Sequence, residues 1–198
     1  MNNKKEKNEQ YIEMIRQRLS EKRFFHSIKV AEKAYHLAVL YGADPEKART
    51  AGLLHDILKE LSVPEQLQMK DEFGIMFDTV TEAAPKCRHA VLGEVFLRRE
   101  LGIDDDDILN AVRYHTTARA GMSKLEKALY LADFTSDDRS YDDVEIMREL
   151  VERDCLDAML YALTYSIREL IDKGAAIHPD TLNAYNEAVL EARRKEWS

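Results

Sequence analysis

Glycine and proline are scarce in this chain, and where they fall points to helices. Seven Gly and four Pro among 198 residues leave little material for hairpins, whose tight turns depend on residues that accept positive φ. Gly42, Gly74, Gly102 and Gly174 each close a stretch of helical pattern, at the position where a left-handed residue ends a helix. Asp44-Pro45 pairs a capping side chain with a first-turn proline, and Ser62-Val63-Pro64-Glu65 opens a helix in a similar way. Val and Ile are modest beside Ala, Leu, Glu, Lys and Arg, which favour helix. The expectation is an all-α fold. It is read as a single-domain helical bundle over residues 1–198, with a core of about 20–173 and terminal helices packed on it.

The apolar spacing predicts helices over about 8–19 (Tyr11, Ile12, Ile15 and Leu19 on one stripe), 23–41, 44–59, 62–74, 88–101 and 105–115. Ser123-Lys124-Leu125-Glu126 is a capping box opening a helix that turns Leu125, Ala128, Leu129 and Ala132 inward, with Asp133 on the turn beyond. Residues 144–173 read as helical with a breaking point near Asp154, and 180–197 as a polar last helix. Residues 75–87 read as a loop with room for one helical turn, punctuated by Pro85. The acidic run Asp104–Asp107 suits the positive end of the helix it precedes. No repeat, linker or low-complexity tract marks a boundary.

A net charge of −8 argues against nucleic acid as a general partner, because such binding rests on Lys and Arg neutralising phosphates. An acidic chain that handles a polyphosphate needs local cations or metal to offset its own field. Cys87 and Cys155 stand far apart without a secretory signature, so reduced thiols are expected. The charged N-terminus has no apolar core behind it, and no stretch approaches 18 apolar residues. Neither signal peptide nor membrane span is expected, and the predicted location is cytoplasmic.

The chemistry gathers on histidine and aspartate. His55-Asp56 ends the apolar run Ala51-Gly52-Leu53-Leu54. Neighbours on a helix point about 100° apart, so the pair converges on one ion only where its helix meets a cleft lined by others. His26, His89, His115 and Asp133 lie on separate predicted helical segments and offer partners. Four imidazoles and two carboxylates suit a divalent transition metal. Singly, each has a plain structural reading: an aromatic ring packed beside Phe25, a helix start, a helix end. Asp133 interrupts an apolar face, where a carboxylate is costly unless paired or metal-bound. His36, about 280° around the helix from His26, and His178, before Pro179, are read as structural. Cys87 is read as an idle thiol.

Phe25-His26, Gly52-Leu53-Leu54-His55-Asp56, Arg88-His89-Ala90, Ala111-Val112-Arg113-Tyr114-His115-Thr116-Thr117 and Lys127-Ala128-Leu129-Tyr130-Leu131-Ala132-Asp133 occur in that order. Over roughly residues 20–170 this resembles the HD-domain superfamily of metal-dependent phosphohydrolases. More closely it resembles the YqeK-type branch of symmetrical diadenosine tetraphosphate (Ap4A) hydrolases. The resemblance implies that His26, His55, Asp56 and Asp133 hold one metal. It implies that His89 and His115 bring in a second, with Asp56 as the bridge. Lys59 matches a basic residue that contacts substrate phosphate, and Arg139 matches an arginine beyond the last aspartate. Thr135-Ser136-Asp137-Asp138-Arg139 departs from the branch's common Glu-Pro-Gly-Arg, and Ala83-Ala84-Pro85-Lys86-Cys87 from its His-Pro-rich wording.

The implied reaction is hydrolysis of Ap4A to two ADP, catalysed through Asp56 and Lys59. The implied cofactor is two divalent ions, iron first with Mn or Co as substitutes, and the implied assembly is a homodimer. Phosphoanhydride cleavage needs an activated water, neutralised non-bridging oxygens and a leaving group held in line. Two metals about 3.5–4 Å apart can supply all three. Lys59, Arg139, Thr116 and Thr117 are candidate phosphate contacts, each with a plain reading as a solvated chain or a helix-end hydroxyl. Two other readings stay open. One is another HD phosphohydrolase, acting on a nucleoside monophosphate, a dNTP or a cyclic dinucleotide. The other is a non-catalytic nucleotide sensor.

Overall fold

Capping chemistry decides where most elements begin and end. In the computed structural model, which describes residues 2–196, all regular structure is helical: α1 (Asn2–Arg18), α2 (Glu21–Tyr41), α3 (Pro45–Leu54), α4 (Val63–Phe73), α5 (Thr79–Ala83), α6 (Pro85–Arg99), α7 (Asp106–Tyr114), α8 (Lys124–Thr135), α9 (Val144–Arg153), α10 (Cys155–Asp172) and α11 (Pro179–Glu196). Trp197, expected at the end of the last helix, lies outside the described residues. Gly42 and Gly74 end α2 and α4 at φ of 72° and 62°, a conformation that costs glycine nothing. Ser62–Glu65 and Ser123–Glu126 are both reciprocal capping boxes.

Several boundaries differ from the sequence expectation. The helix expected to reach residue 59 stops at Leu54, and residues 55–60 continue as turns. Asp133 lies inside the last turn of α8 rather than beyond it, because Ser136 N–H still returns to Ala132 O at 2.9 Å. The expected loop 75–87 contains α5, capped by Asp78, and α6 starts at Pro85. The 144–173 helix does break at Asp154, whose carboxylate accepts from Leu156 and Asp157 N–H and caps α10.

Helix α2 is central, packing on α3 and α8, while α7 packs on α6 and α8. Leu37, Leu54, Leu92, Leu97, Leu109, Leu129, Leu131 and Tyr130 are buried where these helices meet. Gly52 lets α3 approach α2 backbone to backbone, since a Cβ there would sit 2.6 Å from Ala31 Cα. His26 of α2, His89 of α6 and Asp133 of α8 therefore converge with His55 and Asp56, just past the end of α3, and His115, just past the end of α7. Among the described residues, no helix is long and apolar enough to cross a membrane.

Candidate metal centre

His55 and His115 each stop their own helix. His55 Nδ1 lies 2.7 Å from Gly52 O, the carbonyl that Asp56 N–H would take if α3 continued. The backbone then tightens, with Ile57 N–H on Leu54 O and Lys59 N–H on Asp56 O. This is how adjacent residues, which would diverge on a helix, come to face one centre. His115 repeats the device at the end of α7, with Nδ1 2.6 Å from Val112 O. A carbonyl only accepts, so both Nδ1 atoms carry hydrogen and both Nε2 atoms present a lone pair.

Asp56 is the hinge of the geometry. Its Oδ2 faces His26 Nε2 at 4.0 Å and His55 Nε2 at 3.5 Å. Its Oδ1 faces His89 Nε2 at 3.0 Å and His115 Nε2 at 3.4 Å. Asp133 Oδ1 closes the first set, 2.9 Å from His26 Nε2 and 4.0 Å from His55 Nε2. Two groups result, His26–His55–Asp56 and Asp56–His89–His115, each with its ligand atoms within 4.8 Å of one another. His26 Nδ1 is held by Asp138 Oδ2 at 2.7 Å, the carboxylate–histidine pairing that orients a metal-facing imidazole. His89 Nε2 and His115 Nε2 are 3.1 Å apart, and His55 Nε2 and Asp56 Oδ1 are buried without hydrogen-bond partners. Donors bound to one ion at about 2.1 Å lie roughly 3–4 Å apart, so the residues fit a divalent transition metal.

Electrostatics prepares the same outcome. Burial pushes the Asp56 carboxyl up, but the imidazoles crowded against it, His55 first and then His115 and His89, hold it well below the usual carboxylate range. Asp133 is likewise raised by burial yet ends well below that range through His26 and Arg139. Burial lowers His89 to about 3 and also lowers His115, so both imidazoles stay neutral and able to ligate.

A family profile described as "HD domain" matches residues 23–160. The chain belongs to the HD domain family. Among its relatives is the symmetrical bis(5'-nucleosyl)-tetraphosphatase of Halalkalibacterium halodurans, 36% identical over 92% of this chain and 97% of the relative. The Bacillus subtilis protein of the same name is 34% identical over 90% and 95%. A crystal structure from Clostridium acetobutylicum, described as a predicted HD superfamily hydrolase involved in NAD metabolism, superposes with a TM-score of 0.88. It is 33% identical and the match covers 92% and 97% of the two chains.

Around this HD centre the remaining predicted residues divide. Lys59 Nζ reaches His89 Nε2 at 3.2 Å and Asp56 Oδ1 at 3.5 Å. Arg139 grips Asp133 through its side-chain oxygen and its carbonyl, the latter at 2.6 Å. Thr116 Oγ1 stands 3.2 Å from His115 Nε2, whereas the Thr117 hydroxyl donates to Ala118 O at 2.9 Å and is not brought to the centre. His36 pairs with Glu152 and His178 with Asp78, outside both ligand groups. Two residues were missed. Asp138 sat in the segment read only as a departure from the branch pattern, and no sequence signal marked it. Arg23, whose Nη1 donates to Asp56 Oδ2 at 2.8 Å, stands three residues before His26, a helical spacing that could have revealed it. Beside Asp133 and Arg139 lies a cavity of about 270 Å³ walled by Phe134, Tyr141, Tyr165 and Glu169.

Proposed function

We propose that this protein is a metal-dependent hydrolase that cleaves Ap4A symmetrically to two ADP. The observation that carries the chemistry is the single buried carboxylate of Asp56, whose two oxygens face two separate histidine groups while three cations line the same space. The names of the two tetraphosphatase relatives carry the substrate and its symmetry.

His26, His55, Asp56 and Asp133 would hold one ion, and Asp56, His89 and His115 a second. Iron is the leading choice, with Mn or Co as substitutes. Bound there, the metals supply Lewis-acid charge and a water acidic enough to act at neutral pH. The chain's own part is placement. Asp56 and Asp133 stay ionised, Asp138 and the Gly52 and Val112 carbonyls aim the imidazoles, and Lys59 and Arg139 offset phosphate charge. The Thr116 hydroxyl is a further donor at the same edge. The aromatic cavity beside Arg139 takes an adenosine end, with Tyr165 stacked on the base. We assign the whole chain to one catalytic unit, place it in the cytoplasm and carry forward a homodimer, which light scattering tests.

Incubating the metal-loaded protein with Ap4A and resolving products by chromatography decides the reaction: two ADP are expected, and ATP plus AMP would refute symmetry. Asp56→Ala is expected to lower turnover by orders of magnitude with the fold intact. Tyr165→Ala is expected to raise KM roughly tenfold, in line with stacking worth about 1–3 kcal/mol per base, at unchanged metal content.

A further inference from the structure

The Asp56–His89–His115 group is braced by a helix outside the HD match. That match ends at residue 160, whereas α11 covers Pro179–Glu196, and the start of α11 bonds to segments flanking both histidines. On the His115 side, the buried Thr181 hydroxyl donates to Thr117 O at 2.7 Å. Further along α11, Glu187 Oε2 accepts from Gly121 N–H at 2.8 Å. The 115–121 segment is therefore fastened to α11 at two points.

That segment is strained. Ala118, fully buried, stands at φ 57° with its N–H on Tyr114 O at 2.8 Å. Left-handed backbone is glycine's usual way to leave a helix; in alanine the Cβ crowds the following carbonyl. Such a conformation persists only where its surroundings over-determine it. The Thr117 carbonyl belongs to the peptide that enters Ala118, so the Thr181 hydroxyl holds the strained residue at its hinge. His115 stands three residues before it, with Nε2 3.4 Å from Asp56 Oδ1.

On the His89 side the link runs through α5. Asp180 N–H donates to His178 Nδ1 at 3.1 Å, so His178 Nε2 carries the hydrogen and donates it to Asp78 Oδ2 at 3.1 Å. Asp78 caps α5. The buried Arg88 guanidinium in turn donates to the α5 carbonyls of Thr81, at 3.4 Å, and Glu82. His89 is the next residue, and its Nδ1 is buried without a hydrogen-bond partner among the described residues. Its ring is therefore steadied by its segment, and that segment is tied to α11. The His26–His55 group is held from within the HD match instead: Asp138 on His26, Gly52 O on His55 and Arg139 on Asp133.

We propose that Thr181 and His178 are positioning residues for a second ion: through Thr117 and Asp78, the start of α11 keeps His115 and His89 facing Asp56 Oδ1. The capacity for two ions then depends on a helix beyond the HD match. The proposal rests on the two-ion reading above. Its test titrates Co2+ into the chelator-treated whole chain by calorimetry, comparing wild type, Thr181→Val, Thr181→Ser and His178→Ala. Elemental analysis counts the bound metal, and thermal unfolding is followed on each metal-free protein. Wild type is expected to take up two ions. Thr181→Val and His178→Ala are expected to bind the second about tenfold or more weakly and the first unchanged. Thr181→Ser, which keeps the hydroxyl, is expected to match wild type. If Thr181→Val and His178→Ala take up both ions as wild type does, the proposal is overturned even where unfolding temperatures fall, because α11 then serves stability alone. Equal weakening of both ions would overturn it too, as would a Thr181→Ser that fails to restore the second. A wild type that takes up a single ion would instead overturn the two-ion reading, and this proposal with it.

Discussion

At the residue scale, three of the four histidines proposed as metal ligands have Nδ1 committed elsewhere: His55 to Gly52 O, His115 to Val112 O and His26 to Asp138. Only the last partner is a side chain, so it can be removed without touching the backbone. Asp138→Ala is expected to weaken metal binding by about 10- to 100-fold, measured by competition with a chromophoric chelator; wild-type affinity would mean that Asp138 does not orient His26. Proton uptake gives a second prediction. Burial holds His89 at about 3 and His115 below the ordinary value of 6.5. Below pH 6.5 the unfolded chain therefore takes up protons that the folded chain refuses, and above it the two states agree. Stability of the metal-free protein should accordingly fall as pH drops from 6.5 towards 3. Unfolding temperatures of chelator-treated protein between pH 7.5 and 5 check this, and a flat profile would contradict it.

At the scale of elements, the centre depends on how closely α3 can lie on α2. Gly52 permits that approach, and its carbonyl also fixes His55. Gly52→Ala places a methyl 2.6 Å from Ala31 Cα, so the helices must separate. A loss of about 1–3 kcal/mol is expected from overpacking, read by denaturant unfolding, with a drop in bound metal that a surface Gly→Ala change at Gly174 would not cause. Most of the helical layout was legible in the sequence because its signals are local: glycine stops at 42 and 74, capping boxes at 62–65 and 123–126, the Asp154 break. The early stop of α3 was not legible. Ile57 and Leu58 continue the buried apolar pattern, no Gly or Pro interrupts it, and the signal that ends the helix is a side chain turning back on a carbonyl. Asp138 was hidden for a related reason, since its role depends on a contact 112 residues away that no local pattern encodes.

At the scale of the whole molecule, the candidate ligand atoms from His26 to Asp133 meet at one place, so bound metal would tie together α2, α6, α8 and the ends of α3 and α7. The core is expected to persist without it, because buried leucines fill the space between these helices. Chelation is expected to leave the helical circular dichroism unchanged while lowering the unfolding temperature by roughly 10 °C, as about 4 kcal/mol of binding linkage would on a chain of this size. Loss of the helical signal on chelation would show that the metal holds the core itself. The shared Asp56 carboxylate carries a further consequence. One oxygen pair faces both candidate ligand groups, but among the described residues only the His26 side has a second carboxylate facing the centre, Asp133. The two positions are therefore unequal in charge, and the first ion to arrive reduces the negative charge left for the next. Occupancy is expected to be sequential and anticooperative: the His26–His55–Asp56–Asp133 position fills first and tightly, the Asp56–His89–His115 position later and weakly. A limited supply of metal would then give a population of half-filled molecules rather than a mixture of full and empty ones.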